Sequence, residues 1–239
     1  MKILGIDSSG MVASVAIIED EITVAEYSVN YKKTHSQTLL PMLDEIVKMT
    51  EYNLSDVDAI AVAAGPGSFT GLRIGSATVK GLGLALDKPV VSVPTCEALA
   101  YNVWNNDGII CPIMDARRNQ VYCGLYYFET GHIKVYKEQE AVAVTDLVEY
   151  INQETEISKV TFLGDGVPIY RNKIDELIQK EAVYAPAHLN RQRAASVATL
   201  GKCYYEEGKF ENANLHNPIY LRKSQAERER EAKNDKSNC

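Results

Sequence analysis

The chain has 239 residues, 46% of them apolar and 24% charged, which suits one large or two small domains of an ordinary globular protein. A formal net charge of −7 argues against a freestanding nucleic-acid binder, which needs a basic face to neutralise phosphates; nucleic acid held by a partner stays open. Cys96, Cys111, Cys123, Cys203 and Cys239 form no C-x-x-C pair and no zinc spacing, and no run approaches the roughly 18 apolar residues of a membrane span. Reduced thiols in a cytoplasmic protein are therefore expected, with Cys111 and Cys123 as core fillers in apolar runs.

The opening MKILGIDSSG is broken by Asp7 and two serines too early for a signal-peptide core. KILGID reads as a strand ending in an acid, SSGM as a turn, and VASVAII and EITVAEYSV as two further strands. THSQTLLPMLDEIVKMTEYN follows as a helix capped by Thr34 or Ser36, with Leu39, Leu40, Leu43, Ile46, Val47 and Met49 at helical spacing. Pro41 falls within its first turns, where a missing N–H is tolerated. DAIAVAAGPGS is a buried strand running into a glycine loop, GLRIGSATVKGLGLALD a second helix, and KPVVSVPT a returning strand.

The second half repeats this order in pattern rather than in letters. GIICPIMDAR ends in Asp115, RNQ turns, VYCGLYYF and HIKVYKEQ pair, TDLVEYINQ is a helix, and KVTFLGDGVPIY is strand, glycine loop and helix start. Two α/β lobes are expected, each βββαβαβα, over residues 1–104 and 105–222, with a charged, mobile tail at 223–239. A duplicated lobe opening on strand, acid and turn resembles the actin, Hsp70 and sugar-kinase superfamily, whose members bind ATP between the lobes. By that analogy Asp7 and Asp115 stand where carboxylates meet metal and phosphate, and Asp7, Ser8, Ser9 and Arg117 are candidate nucleotide or anion contacts.

AAGPGSFTGLRIG fails both phosphate-loop tests: no Lys follows Gly71 as a Walker loop needs, and Gly65, Gly67 and Gly71 are spaced wrongly for a dinucleotide fingerprint. It is either a strand-to-helix turn or a ligand loop. Arg117 and Arg118 either attract an acidic substrate or cap a solvated hairpin beside an acid. Glycines in the second helix cost roughly 1 kcal/mol each relative to alanine, which implies close approach of another backbone, in the same lobe or in a partner. His35, His132, His188 and His216 show no H-x-x-x-H spacing, and no nucleophile, base and orienting group occur together.

ILGIDSS, THSQTLLP, VAAGPGSFTGLRIG and NPIYLR together resemble the TsaB (YeaZ) family over about residues 1–222. That resemblance implies a non-catalytic paralogue of TsaD, serving formation of threonylcarbamoyl-adenosine in tRNAs that read ANN codons. It implies pairing with a TsaD-like catalytic subunit through the two helices of the first lobe, a TsaE-like ATPase docked on the pair, a homodimer when alone, and tRNA met only through the complex. No cofactor is implied for the chain itself; ATP or ADP would belong to the assembled complex. The interface residues so implied are Ser36, Leu39, Leu40, Leu43, Gly71, Arg73, Gly75 and Val79, with Arg73 as an inter-subunit ion pair. TsaD-like proteins hold metal through H-x-x-x-H in the second lobe, and CPIMDARRNQVYCG here offers no histidine. The alternatives are an ATP-dependent phosphotransferase of the same fold and a metallo-glycopeptidase.

Overall fold

The computed structural model of the protein describes residues 1–31 and 33–222; the expected mobile tail lies outside the described residues. Three antiparallel strands open the chain, β1 (Lys2–Asp7), β2 (Ala13–Glu19) and β3 (Ile22–Val29). After α1 (His35–Thr50), β4 (Ala59–Gly65) joins parallel to β1, and after α2 (Phe69–Leu86), β5 (Val90–Pro94) joins parallel to β4. The sheet order is β3-β2-β1-β4-β5, and α3 (Thr95–Tyr101) ends the unit.

The second half lays down β6 (Ile109–Asp115), β7 (Gln120–Glu129), β8 (His132–Ala143), α4 (Val144–Gln153), β9 (Lys159–Leu163), α5 (Val167–Leu177), β10 (Glu181–Tyr184) and α6 (Ala194–Glu206). Its sheet runs β8-β7-β6-β9-β10, the same order with the same parallel and antiparallel pairings. The fold is the duplicated βββαβαβα expected from the sequence.

Strand periodicity places each apolar residue. Along β1, Leu4 and Ile6 face the layer of α1 and α2, where Leu39, Leu43, Ile46 and Val79 meet them, while Ile3 faces Val197 and Leu200 of α6. Along β6, Ile109, Cys111 and Ile113 face Val148 and Ile151 of α4 and Ile174 of α5, while Ile110 and Met114 face Cys96 and Leu99 of α3. The terminal helices α3 and α6 are thus packed between the two sheets, with α1–α2 and α4–α5 outside. Cys96, Cys111 and Cys123 are buried in these cores.

Helix α6 lies on β1, β2, β4 and β5 of the first sheet, and residues 211–222 also return there. Gln139 of the second unit crosses to the first, its Nε2 donating to the Gly65 carbonyl at 3.1 Å and its Oε1 accepting the Cys96 N–H at 3.4 Å.

Candidate functional site

The apolar run of β1 and the turn after it put Asp7, Ser8 and Ser9 in one place, all buried. Asp7 Oδ1 accepts the Ser9 N–H at 2.8 Å and the Ser9 hydroxyl at 2.6 Å. Burial pushes the Asp7 carboxyl up to about 6, against the pull of those two hydrogen bonds. The Ser8 hydroxyl donates to the Gly71 carbonyl at 2.9 Å, which ties the turn to α2.

Asp115 holds the matching position at the end of β6. Its Oδ1 accepts the Tyr170 hydroxyl at 3.0 Å and the Arg117 N–H at 2.9 Å, and its Oδ2 lies 3.5 Å from the Arg117 guanidinium. The Asp115 N–H donates to Asp165, whose carboxyl burial raises above its usual range. Arg117, Arg118 and Asn119 take left-handed φ values of 65°, 57° and 58°, so the arginine pair forms the hairpin tip with Asp115 as its acidic neighbour.

Between the units lies a cleft of about 540 Å³ whose walls include Ser9, Gly10, His35, Phe69, Asp115, Arg117, Asp165 and Tyr220. Ser9 and Arg117, read from opposite halves of the sequence, line the same space; Asp7 and Ser8 stand behind that wall. His35 Nε2 donates to the Gly10 carbonyl at 2.8 Å, because a carbonyl only accepts; its buried Nδ1 has no hydrogen-bond partner among the described residues. Among the described residues, no group of three or more His, Cys, Asp or Glu side chains is placed to hold a metal.

Burial separates the residues named for the interface. Leu39, Leu43 and Val79 are buried in the first unit's own core. A Cβ on Gly71 would lie 2.1 Å from the Ser8 carbonyl oxygen, and one on Gly75 would lie 2.4 Å from Ser8 Oγ. The close approach implied by these glycines is therefore to the chain's own Asp–Ser–Ser turn. Helix α2 starts at Phe69, earlier than its glycine pattern indicates, because Ser68 caps it by accepting the Gly71 N–H at 3.2 Å. Thr34 stands at the cap of α1 without a side-chain capping bond, and Pro41 lies in the second turn, among the first turns as expected.

What α1 and α2 turn outward is Ser36, Leu40, Met49, Arg73, Gly81 and Leu84, with Leu40 53%, Met49 78% and Leu84 62% exposed. Arg73 lies over the Phe69 ring at 4.1 Å and its Nε donates to the Tyr220 hydroxyl at 3.4 Å; among the described residues it has no carboxylate partner. Met49, Gly81 and Leu84 are exposed on the same two helices, though they are not among the individual residues named from the resemblance. Nor is the cleft role of Ile219, Tyr220 and Arg222 named there; its only signal is the NPIYLR motif.

Comparison with known proteins agrees with this geometry. The family model described as TsaD, tRNA N6-adenosine threonylcarbamoyltransferase, matches residues 23–230. The chain is 34% identical over 229 residues to the tRNA threonylcarbamoyladenosine biosynthesis protein TsaB of Bacillus subtilis (strain 168), covering 95% of this chain and 96% of that one. The solved structure of YeaZ from Pseudomonas aeruginosa matches with a TM-score of 0.77 at 26% identity, over 92% of this chain and 99% of that one. An inorganic polyphosphate/ATP-glucomannokinase from Arthrobacter sp. strain KM shares the fold alone, with a TM-score of 0.52 at 11% identity over 86% of this chain and 99% of that one. With its two actin- and sugar-kinase-like units and its near full-length match to these relatives, the chain belongs to the TsaB family of tRNA threonylcarbamoyladenosine biosynthesis proteins.

Proposed function

We propose that this protein serves threonylcarbamoyl-adenosine formation in tRNA as a non-catalytic scaffold, through the outer face of α1 and α2. The observation that carries this is that the two helices leave large apolar side chains exposed, Leu40 and Met49 on α1 and Leu84 on α2, with open space at Gly81. In this reading the face receives a TsaD-type catalytic subunit, a TsaE-type ATPase docks on the pair, and a second copy of the chain covers the face when no partner is present. Nucleotide and tRNA belong to the assembled complex, which works in the cytoplasm; no helix among the described residues is long and apolar enough to cross a membrane.

The cleft supports the same reading. Asp7 is turned onto Ser9, Asp115 onto Tyr170 and Arg117, and Ser8 onto α2, so these groups are engaged in holding the chain together. An ATP-dependent phosphotransferase would instead need Asp7, which stands behind the cleft wall, to face magnesium and phosphate beside Asp115, and would lose slow ATP hydrolysis in Asp7→Ala. The test is depletion of the protein in its host, with threonylcarbamoyl-adenosine measured in total tRNA nucleosides by mass spectrometry. Collapse of that nucleoside is expected; an unchanged level would leave the scaffold reading without its pathway.

A further inference from the structure

Residues 211–222 run antiparallel along α2 and then cross to the second unit. Glu211 exchanges both backbone hydrogen bonds with Val90, each at 2.9 Å, and Ala213 fills the space beside Gly83, where a Cβ would meet its own Cβ at 2.5 Å. One turn on, His216 is buried, with Nδ1 3.0 Å from the Ser92 hydroxyl and 3.1 Å from Glu211. Asn217 and Pro218 lie beside Ser76 and Lys80, and Tyr220 stacks on Phe69 with ring centroids 4.5 Å apart. The Ile219 N–H donates to Ala64 at 2.7 Å, at the end of β4 where Gly65 adopts φ 128° against the Ile219 carbonyl. After this anchorage to the first unit, Arg222 donates to the Ala116 carbonyl at 2.5 Å, in the turn between Asp115 and Arg117 of the second unit.

We propose that residues 211–222 are a strap that fixes the opening of the cleft, with the Phe69–Tyr220–Arg73 stack as its anchor and Arg222 as its latch. Two-unit folds move about their junction unless it is tied, and here α3 and Gln139 join the units at the base while the strap joins them at the rim of the cleft. Here the strap is held at several points by one unit and grips the hairpin tip of the other, while Ile219, Tyr220, Leu221 and Arg222 themselves form one wall of the cleft. Releasing Arg222 frees the second unit's tip. Removing the Tyr220 ring frees the strap from the start of α2. The same segment therefore touches the outward helix α2 and the rim of the cleft, so a change at either is felt by the other.

The test is a distance distribution between spin labels at Thr70→Cys on α2 and Asn172→Cys on α5, both exposed, in a background with Cys203 and Cys239 replaced by serine. The three buried cysteines stay unlabelled. A narrow distribution is expected for the parent, a broader one shifted to longer distance for Arg222→Ala, and return toward the parent for Arg222→Lys, which restores a donor. In Tyr220→Ala, exchange of the Ile219 amide should be about tenfold faster, the worth of one aromatic pair. Circular dichroism confirms the fold of each variant, and Arg222→Ala, which gives up a single bond to a carbonyl, decides if Tyr220→Ala unfolds. An already broad parent distribution, or one unchanged in folded Arg222→Ala, overturns the strap.

Discussion

Asp7 is an acid that costs the fold something to keep charged. Its carboxyl, raised to about 6 by burial, binds a proton in the folded state at pH values where the unfolded chain has released it. Stability therefore falls as pH rises from about 4 to 6, and the charged form costs about 3 kcal/mol at neutral pH. Asp7→Asn keeps an oxygen for Ser9 and removes the charge, so its stability relative to the parent should rise by about 3 kcal/mol between pH 4 and 7. Urea denaturation of both proteins across that range measures this, and a constant difference would mean that Asp7 is hydrated. His216 acts in the opposite direction. Burial lowers its pKa although Glu211 pulls it up, with Lys80 adding to the lowering. The unfolded chain then takes up the proton first, and stability is lost as pH falls through the ordinary histidine value. His216→Gln should flatten that acid-side loss in thermal melts taken from pH 7.5 to 5.5; an unaltered slope would assign the loss to another group.

At the scale of the helix, the glycine spacing of α2 left two neighbours open, the chain's own lobe or a partner. Glycines in α2 did imply a close backbone, and the backbone is that of Ser8 in the same chain. Gly75 and Gly81 separate the two roles. Gly75→Ala places a carbon 2.4 Å from Ser8 Oγ and should destabilise by about 1–3 kcal/mol. Gly81→Ala meets nothing within 4 Å and should stabilise the isolated chain by about 1 kcal/mol through helix propensity. Chemical denaturation checks both, and equal effects would refute the placement of α2. Helices α3 and α6 were legible only as the closing helix of each expected βββαβαβα unit, because their own residues lack a polar face to mark them. The sequence TCEALAY is buried on nearly every side between the sheets, and AASVATLGKCYYE meets the first sheet with small residues, Ala194, Val197, Ala198 and Gly201, rather than a leucine stripe. β1 and β6, by contrast, declared themselves through alternation ending in an acid.

For the whole molecule, the duplication was readable because it is written in element order, while the closing contacts were not. The strap has no periodicity, and its partners Phe69, Val90 and Ala116 lie more than 100 residues away in sequence. Burial likewise decided which residues implied by family resemblance remain available to a partner: Ser36, Leu40 and Arg73 are exposed, whereas Leu39, Leu43, Gly71, Gly75 and Val79 belong to the interior. Leu40→Glu adds a charge to the exposed face without touching the core. It should abolish association with a TsaD-type partner in size-exclusion chromatography while leaving the thermal midpoint of the isolated chain within a few degrees.

The most direct discrimination between a surface that binds and a cleft that reacts is genetic complementation read out on tRNA. In cells depleted of this protein, threonylcarbamoyl-adenosine should be restored by the parent and by Asp7→Asn, and should stay low with Leu40→Glu expressed at the same level. Restoration by Leu40→Glu together with failure of a folded Asp7→Asn would place the function in the cleft and contradict the scaffold.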